Sequence, residues 1–141
     1  MSRVFSLAVE ATLENLKTVR SFINEAGQSL HIDEETLGEM CLVVDEAVTN
    51  VIVHGYDGQP GPIEIEVSAD QDNLVIQIRD QAKPFDAGDV EAPHLDESLA
   101  ERAYGGMGVY LIRKLTDESE FRPLPGRGNE LRLVRRAVVG N

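Results

Sequence analysis

This sequence has few of the features that mark several common protein classes. It contains one cysteine, Cys41, in 141 residues, so these residues can form no disulfide among themselves and the fold must rest on its core. Cys41 falls on an apolar helical stripe and reads as a packing residue in a reducing compartment. No apolar run approaches the roughly 20 residues needed to cross a bilayer. The first residues show no basic segment leading into an apolar one, so no secretion signal is expected and the expected location is cytoplasmic. Basic residues are also scarce: 13 Lys and Arg stand against 25 Asp and Glu, a formal charge of -12. That balance argues against a nucleic-acid backbone as a ligand, and favours partners with basic or neutral surfaces. A single nucleotide remains compatible with it, because Mg²⁺, backbone amides and one or two basic side chains can meet a triphosphate. With 42% hydrophobic residues, no internal repeat and no shift in composition, residues 1–141 are expected to form one domain with an ordinary core.

The most organised stretch runs from Asp33 to Tyr56. Leu37, Met40, Cys41, Val44, Ala47, Val48, Val51 and Ile52 recur at the three-and-four spacing of a helix with one buried stripe. Asp33 is placed to cap its first turn, where Glu34 and Glu35 suit the positive end of the helix dipole. Gly55 and the turn-forming residues 56–61 stop it. Glu46, Asn50 and His54 lie four apart, which aligns a carboxylate, an amide and an imidazole on one face. Such a row is either part of a solvated surface or a site.

Before this helix, residues 3–11 alternate Phe5, Leu7 and Val9 with more polar neighbours and predict a strand. A helix over about 12–27 follows, with Thr12 as its cap, Leu13, Leu16, Val19, Phe22, Ile23 and Ala26 on one face, and Gly27 as its stop. After the main helix, residues 63–69 and 73–80 alternate around Asp70-Gln71-Asp72 and predict a hairpin. Periodicity is absent from 81 to 106, a long acidic segment that reads as a functional lid or as a disordered insertion. A third helix beginning near the glycines at 105–108 turns Val109, Leu111, Ile112 and Leu115 inward. Strands at about 118–122 and 129–138 flank a turn over 123–128. The order β-α-α-β-β-loop-α-β-β implies an α/β (α+β) two-layer sandwich, its sheet mixed and mostly antiparallel, with helices packed on one face.

Chemistry gathers at three places: the Glu46/Asn50 face, Asp80 at a strand end, and Gly105-Gly106-Met107-Gly108 before a helix. Each has a plain alternative, respectively a solvated face, a turn residue and a tight turn. A glycine-rich approach to a helix N-terminus also offers free amides to phosphate.

Taken together, in this order and spacing, these residues resemble the ATP-binding domain shared by gyrase, histidine kinases, some chaperones and mismatch-repair ATPases. Within that superfamily the chain is similar to the bacterial anti-sigma factor serine/threonine kinases, over about residues 3–137. The matching motifs are Glu46-Ala47-Val48-Thr49-Asn50 with His54-Gly55-Tyr56, Asp80-Gln81-Ala82-Lys83-Pro84-Phe85-Asp86, Gly105-Gly106-Met107-Gly108-Val109, and Gly128-Asn129-Glu130-Leu131. The sequence departs from the family at Ala82, usually Gly, at Ala87, often Pro, and at Asn129, often Thr.

The resemblance implies a histidine-kinase-like ATPase fold that binds ATP and Mg²⁺, with an ATP lid at about 86–106. It places the general base on Glu46 and the Mg²⁺ ligand on Asn50. It assigns Asp80 to the adenine amino group, with Ala82, Phe85 and Asn129 around the base. Arg102, Gly105, Gly106, Met107, Gly108 and Val109 fall to the phosphates, although Arg102 could equally be solvated, and His54 reads more simply as a helix cap. The implied function is ATP-dependent phosphorylation of a small anti-sigma factor antagonist, together with binding of a sigma factor, by a homodimer. The alternative is a nucleotide-binding interaction module without phosphoryl transfer. The ATPase half of a two-component histidine kinase fits less well, because no phospho-accepting helical hairpin precedes the domain.

Overall fold

The structure, a computed structural model, describes residues 3–82 and 110–140. Strand β1 (Val4–Glu10) leads through a 3₁₀ turn (Leu13–Asn15) into helix α1 (Leu16–Ser29), then helix α2 (Glu34–Asn50) and a π-helical turn (Val51–Gly55). Strands β2 (Pro62–Asp70) and β3 (Asn73–Asp80) follow. Residues 110–115 are helical (α3), and β4 (Glu118–Leu124) and β5 (Gly128–Arg135) complete the order.

The strands form one sheet in the order β1-β2-β3-β5-β4, antiparallel at all four pairings. This is the limiting case of the mostly antiparallel sheet expected. Alternation divides each strand between two faces. Ile63, Ile65 and Val67 of β2, Leu74, Ile76 and Ile78 of β3, and Leu131 and Leu133 of β5 are buried in one core cluster with both long helices. The opposite face is polar. There Glu130 accepts hydrogen bonds from Arg79 Nε at 2.8 Å and Arg122 Nη2 at 2.9 Å, which joins β3, β5 and β4 across the sheet. Burial alone would raise the Glu130 carboxyl pKa, but these two guanidinium bonds outweigh it and hold the group below its usual range.

Helix α2 forms as its sequence predicts. Asp33 caps it, its Oδ1 accepting from the Thr36 amide at 2.8 Å and its Oδ2 from the Thr36 hydroxyl at 2.8 Å. The buried stripe includes Val43, which the expected face omits. Cys41 is only half-buried, with its thiol directed at Asn24 Oδ1. Regular α-helix stops at Asn50, not at Gly55. The Tyr56 amide bonds to the Val51 carbonyl five residues back, at 2.8 Å, which widens this last turn into a π-helix.

Three local expectations change. Thr12 makes no side-chain cap, and a 3₁₀ turn precedes α1. Gly27 does not end α1; it lies inside the last turn, where an added Cβ would stand 2.3 Å from Leu37 Cδ1. Its missing side chain lets α2 approach, and the chain turns instead at His31, which has a φ of 56°. Finally, β4 runs through Pro123 to Leu124. A proline there needs no amide partner because β4 is the sheet edge, so the turn shrinks to residues 125–127.

The sharpest steric constraint is Gly128, which opens β5. Its φ is +118°, and a Cβ would stand 1.9 Å from the Asp80 carbonyl oxygen. Gly128→Ala is therefore expected to destabilise the fold by roughly 2–4 kcal/mol in chemical denaturation, since backbone strain and backbone overlap add. Gly126→Ala has a positive φ but open space around it, and should cost about 1 kcal/mol.

Candidate functional site

Among the described residues, three of the four buried polar or charged side chains, Asp80, Asn129 and Glu130, lie where β3 and β5 end together. Asp80 and Asn129 are register partners and share the helix-facing side of the sheet with Ile78 and Leu131. Both are almost fully buried, at 7% and 4% exposure. Asp80 Oδ1 accepts two bonds, from the Ala82 amide at 2.9 Å and from Asn129 Nδ2 at 3.0 Å. Burial raises the Asp80 pKa above the usual carboxylate range, and those two bonds only partly oppose the rise. The amide oxygen of Asn129, Oδ1, is buried and has no hydrogen-bond partner among the described residues.

The end of α2 connects to this strand end through the turn that follows it. Glu46 and Asn50 lie one turn apart, both partly buried, with Asn50 Nδ2 donating to the Glu46 carbonyl at 2.9 Å. That bond directs the amide nitrogen back toward the helix. Past the π-turn, Gly55 packs on Ala82, the Cβ of which would lie 3.4 Å from a Cβ on Gly55. Tyr56 closes the junction: its hydroxyl donates to the Pro62 carbonyl at 2.6 Å and accepts from the Gln81 amide at 2.7 Å. Its phenol pKa is raised by burial, with the Gln81 bond acting the other way, so it stays a donor at neutral pH. The ring is accommodated by Gly61, where a Cβ would overlap it at 2.2 Å.

The structure thus brings Asp80, Ala82 and Asn129 together, and connects them through Gly55 and Tyr56 to the helix that carries Glu46 and Asn50. His54 is exposed on the π-turn. Phe85, Arg102, Gly105, Gly106, Met107, Gly108 and Val109 lie outside the described residues. Helix α3 follows that glycine segment in sequence. Arg135 anchors its far end, donating to the Leu115 carbonyl at 2.7 Å and to Glu39 of α2 at 3.0 Å. Tyr56 and Gly128 were not singled out as site-building residues by their sequence. The available signal was Tyr56 directly after the His54-Gly55 pair, with Gly61 five residues further on.

Among the described residues no group of three His, Cys, Asp or Glu could cage a metal ion. A cation here would be held through an amide, phosphates and water, as Mg²⁺ commonly is. Nor is any described helix long and apolar enough to cross a membrane.

A sheet covered on one face by helices, with a buried polar pair at one strand end joined through Gly55 and Tyr56 to a Glu/Asn helix, is an arrangement suited to holding a nucleotide. Residues 9–135 match the histidine kinase-like ATPase domain family, and the chain belongs to it. It is 30% identical over 136 residues to the anti-sigma F factor of Oceanobacillus iheyensis, covering 96% of this chain and 93% of that one. It is 26% identical over 117 residues to the serine-protein kinase RsbW of the same organism, covering 79% and 74%. A solved structure of the RsbU and RsbW domains of a Mycobacterium tuberculosis protein superposes with a TM-score of 0.69 at 18% identity, spanning 95% of this chain and 32% of that one. Within the superfamily the chain is a member of the anti-sigma factor serine/threonine kinases.

Asp80 has a stability signature. Its folded pKa lies above the unfolded value, so the folded state holds the proton more tightly. Stability therefore falls as pH rises through the window above the ordinary carboxylate pKa. Asp80→Asn preserves the bonds to Ala82 and Asn129 without the charge. Denaturation midpoints measured from pH 4 to 8 should fall less in this variant, leaving it at least as stable as the wild type at pH 7.

Proposed function

We propose that this chain is an ATP- and Mg²⁺-dependent protein serine/threonine kinase that acts as an anti-sigma factor. The observation that carries the reading is the buried Asp80–Asn129 pair, joined through Gly55 and Tyr56 to the helix that carries Glu46 and Asn50. A buried carboxylate oxygen suits the amino edge of adenine, because a base lacking that donor leaves the acceptor desolvated and unpaired. Adenine would lie over Ala82, and the triphosphate would run toward Asn50. Arg102 and the glycines at 105–108, carried over from the family, fall to its phosphates.

An amide oxygen is a hard ligand suited to Mg²⁺, and Asn50 is the residue assigned to supply it. Mg²⁺, when bound, neutralises charge on the phosphates. Glu46 is assigned to orient and deprotonate a Ser or Thr hydroxyl of the protein substrate. Holding hydroxyl and phosphate in line supplies most of the remaining catalysis.

The relatives named anti-sigma F factor and serine-protein kinase RsbW support a protein substrate and a regulatory role. The partners assigned on those grounds are a sigma factor and a small antagonist protein that receives the phosphate. The net charge of -12 favours contact surfaces on them that are basic or neutral. The family resemblance stated above supports a homodimer, and a cytoplasmic location is proposed with it.

The test is phosphate transfer from γ-labelled ATP to candidate antagonists. Glu46→Gln is expected to slow transfer by about 100-fold or more, with ATP affinity changed less than about twofold. Asn50→Ala should lose transfer and Mg²⁺-dependent binding together. A Glu46→Gln protein with full transfer would remove Glu46 from the mechanism. ATP binding without transfer to any antagonist would favour a nucleotide-gated interaction module.

A further inference from the structure

We propose that Arg135 is a positioning residue for the triphosphate, its guanidinium tying α3 to α2 and so setting how the two elements face a bound nucleotide. The inference rests on the ATP reading above and adds to it a side chain at the opposite end of the sheet from Asp80. Arg135 is the last residue of β5. Its Nη1 donates to the Leu115 carbonyl at the end of α3, at 2.7 Å, and its Nη2 donates to Glu39 Oε1 of α2, at 3.0 Å. One planar fork thus holds two helices against one strand. The Leu115 carbonyl belongs to the last turn of its helix, where such groups lack a partner inside the helix. Just beyond it, the Asp117 amide donates to the Val134 carbonyl at 2.8 Å, and Asp117 Oδ2 accepts from the Arg136 amide at 2.7 Å. β5 therefore fixes the end of α3, and Arg135 extends that hold to α2.

An exposed ion pair would contribute little. Here the two side chains are only 24% and 32% exposed, so parting them leaves a charge poorly solvated. The placement of the pair gives it a role. Glu39 lies about 16 Å along α2 from Asn50, the residue assigned to Mg²⁺. On the other side of the fork, the glycines assigned to the phosphates precede α3 in the chain. A triphosphate reaching both needs α2 and α3 at one spacing, and the Arg135 fork sets it. The base needs no such tie, because β3 and β5 pair residue for residue from Leu74 to Asp80. Loss of the fork therefore acts on phosphate binding and spares the base.

The experiment compares two ligands on wild type and variants. MgATP is titrated by calorimetry. Adenosine, which has the base and no phosphate, is titrated at millimolar concentration by NMR. Arg135→Ala is expected to weaken MgATP binding about five- to twentyfold and adenosine binding less than about twofold. Glu39→Gln keeps an acceptor for Nη2, and should hold MgATP within about twofold of the wild type, whereas Glu39→Ala should not. Equal weakening of both ligands, or no change in either, would make Arg135 a structural residue only and overturn the inference. Should Arg135→Ala fail to fold, Glu39→Ala carries the same comparison, because it leaves the bond to Leu115 in place. A wild type that binds no MgATP would instead defeat the ATP reading, and this inference with it.

Discussion

A carboxylate is costly to bury, and the surroundings of Asp80 are arranged to keep one at the end of β3. Gly128 lies so close to the Asp80 carbonyl that no side chain fits. Asn129 and the Ala82 amide both bond to one oxygen of the carboxylate, and Tyr56 pins the next residue, Gln81. On the other face of the same strands, Glu130 clasps Arg79 and Arg122 and fixes the register that sets Asp80 opposite Asn129. These contacts compensate only in part, since the pKa of Asp80 remains raised by burial. A group kept in such a place against its own desolvation has a functional explanation more readily than a structural one.

The connection from this acid to α2 gives the site its second half. The π-turn after Asn50 widens the helix end, so that Gly55 reaches Ala82 and the Tyr56 hydroxyl reaches both Pro62 and Gln81. The base proposed at Asp80 and the phosphate proposed near Asn50 would thereby be referred to one junction. Phosphoryl transfer depends mainly on positioning, and a junction of this kind supplies it without bulk.

Much of this was legible in the sequence, for physical reasons that differ by residue. Asp33 was readable as a cap because capping is local, satisfied three residues away at Thr36. The strands of the β2–β3 hairpin and the stripe of α2 followed from periodicity. Gly27 was misread because a missing side chain signals a helix stop and a close helix approach alike, and only the position of Leu37 separates the two. The π-turn left no mark in the hydrophobic pattern. Asp80, Glu46 and Asn50 could be named as candidates from motifs. The bond between Asp80 and Asn129 spans 49 positions, however, and no local pattern encodes which amide end faces the carboxylate.

The central claim is that the Asp80 end of the sheet reads adenine. Titration of the purified wild-type protein with MgATP and with MgGTP, by calorimetry at one salt concentration, tests it most directly. The account requires saturable binding of MgATP, with MgGTP weaker by about tenfold or more. No binding of either nucleotide at millimolar concentration, or equal binding of both, would contradict it.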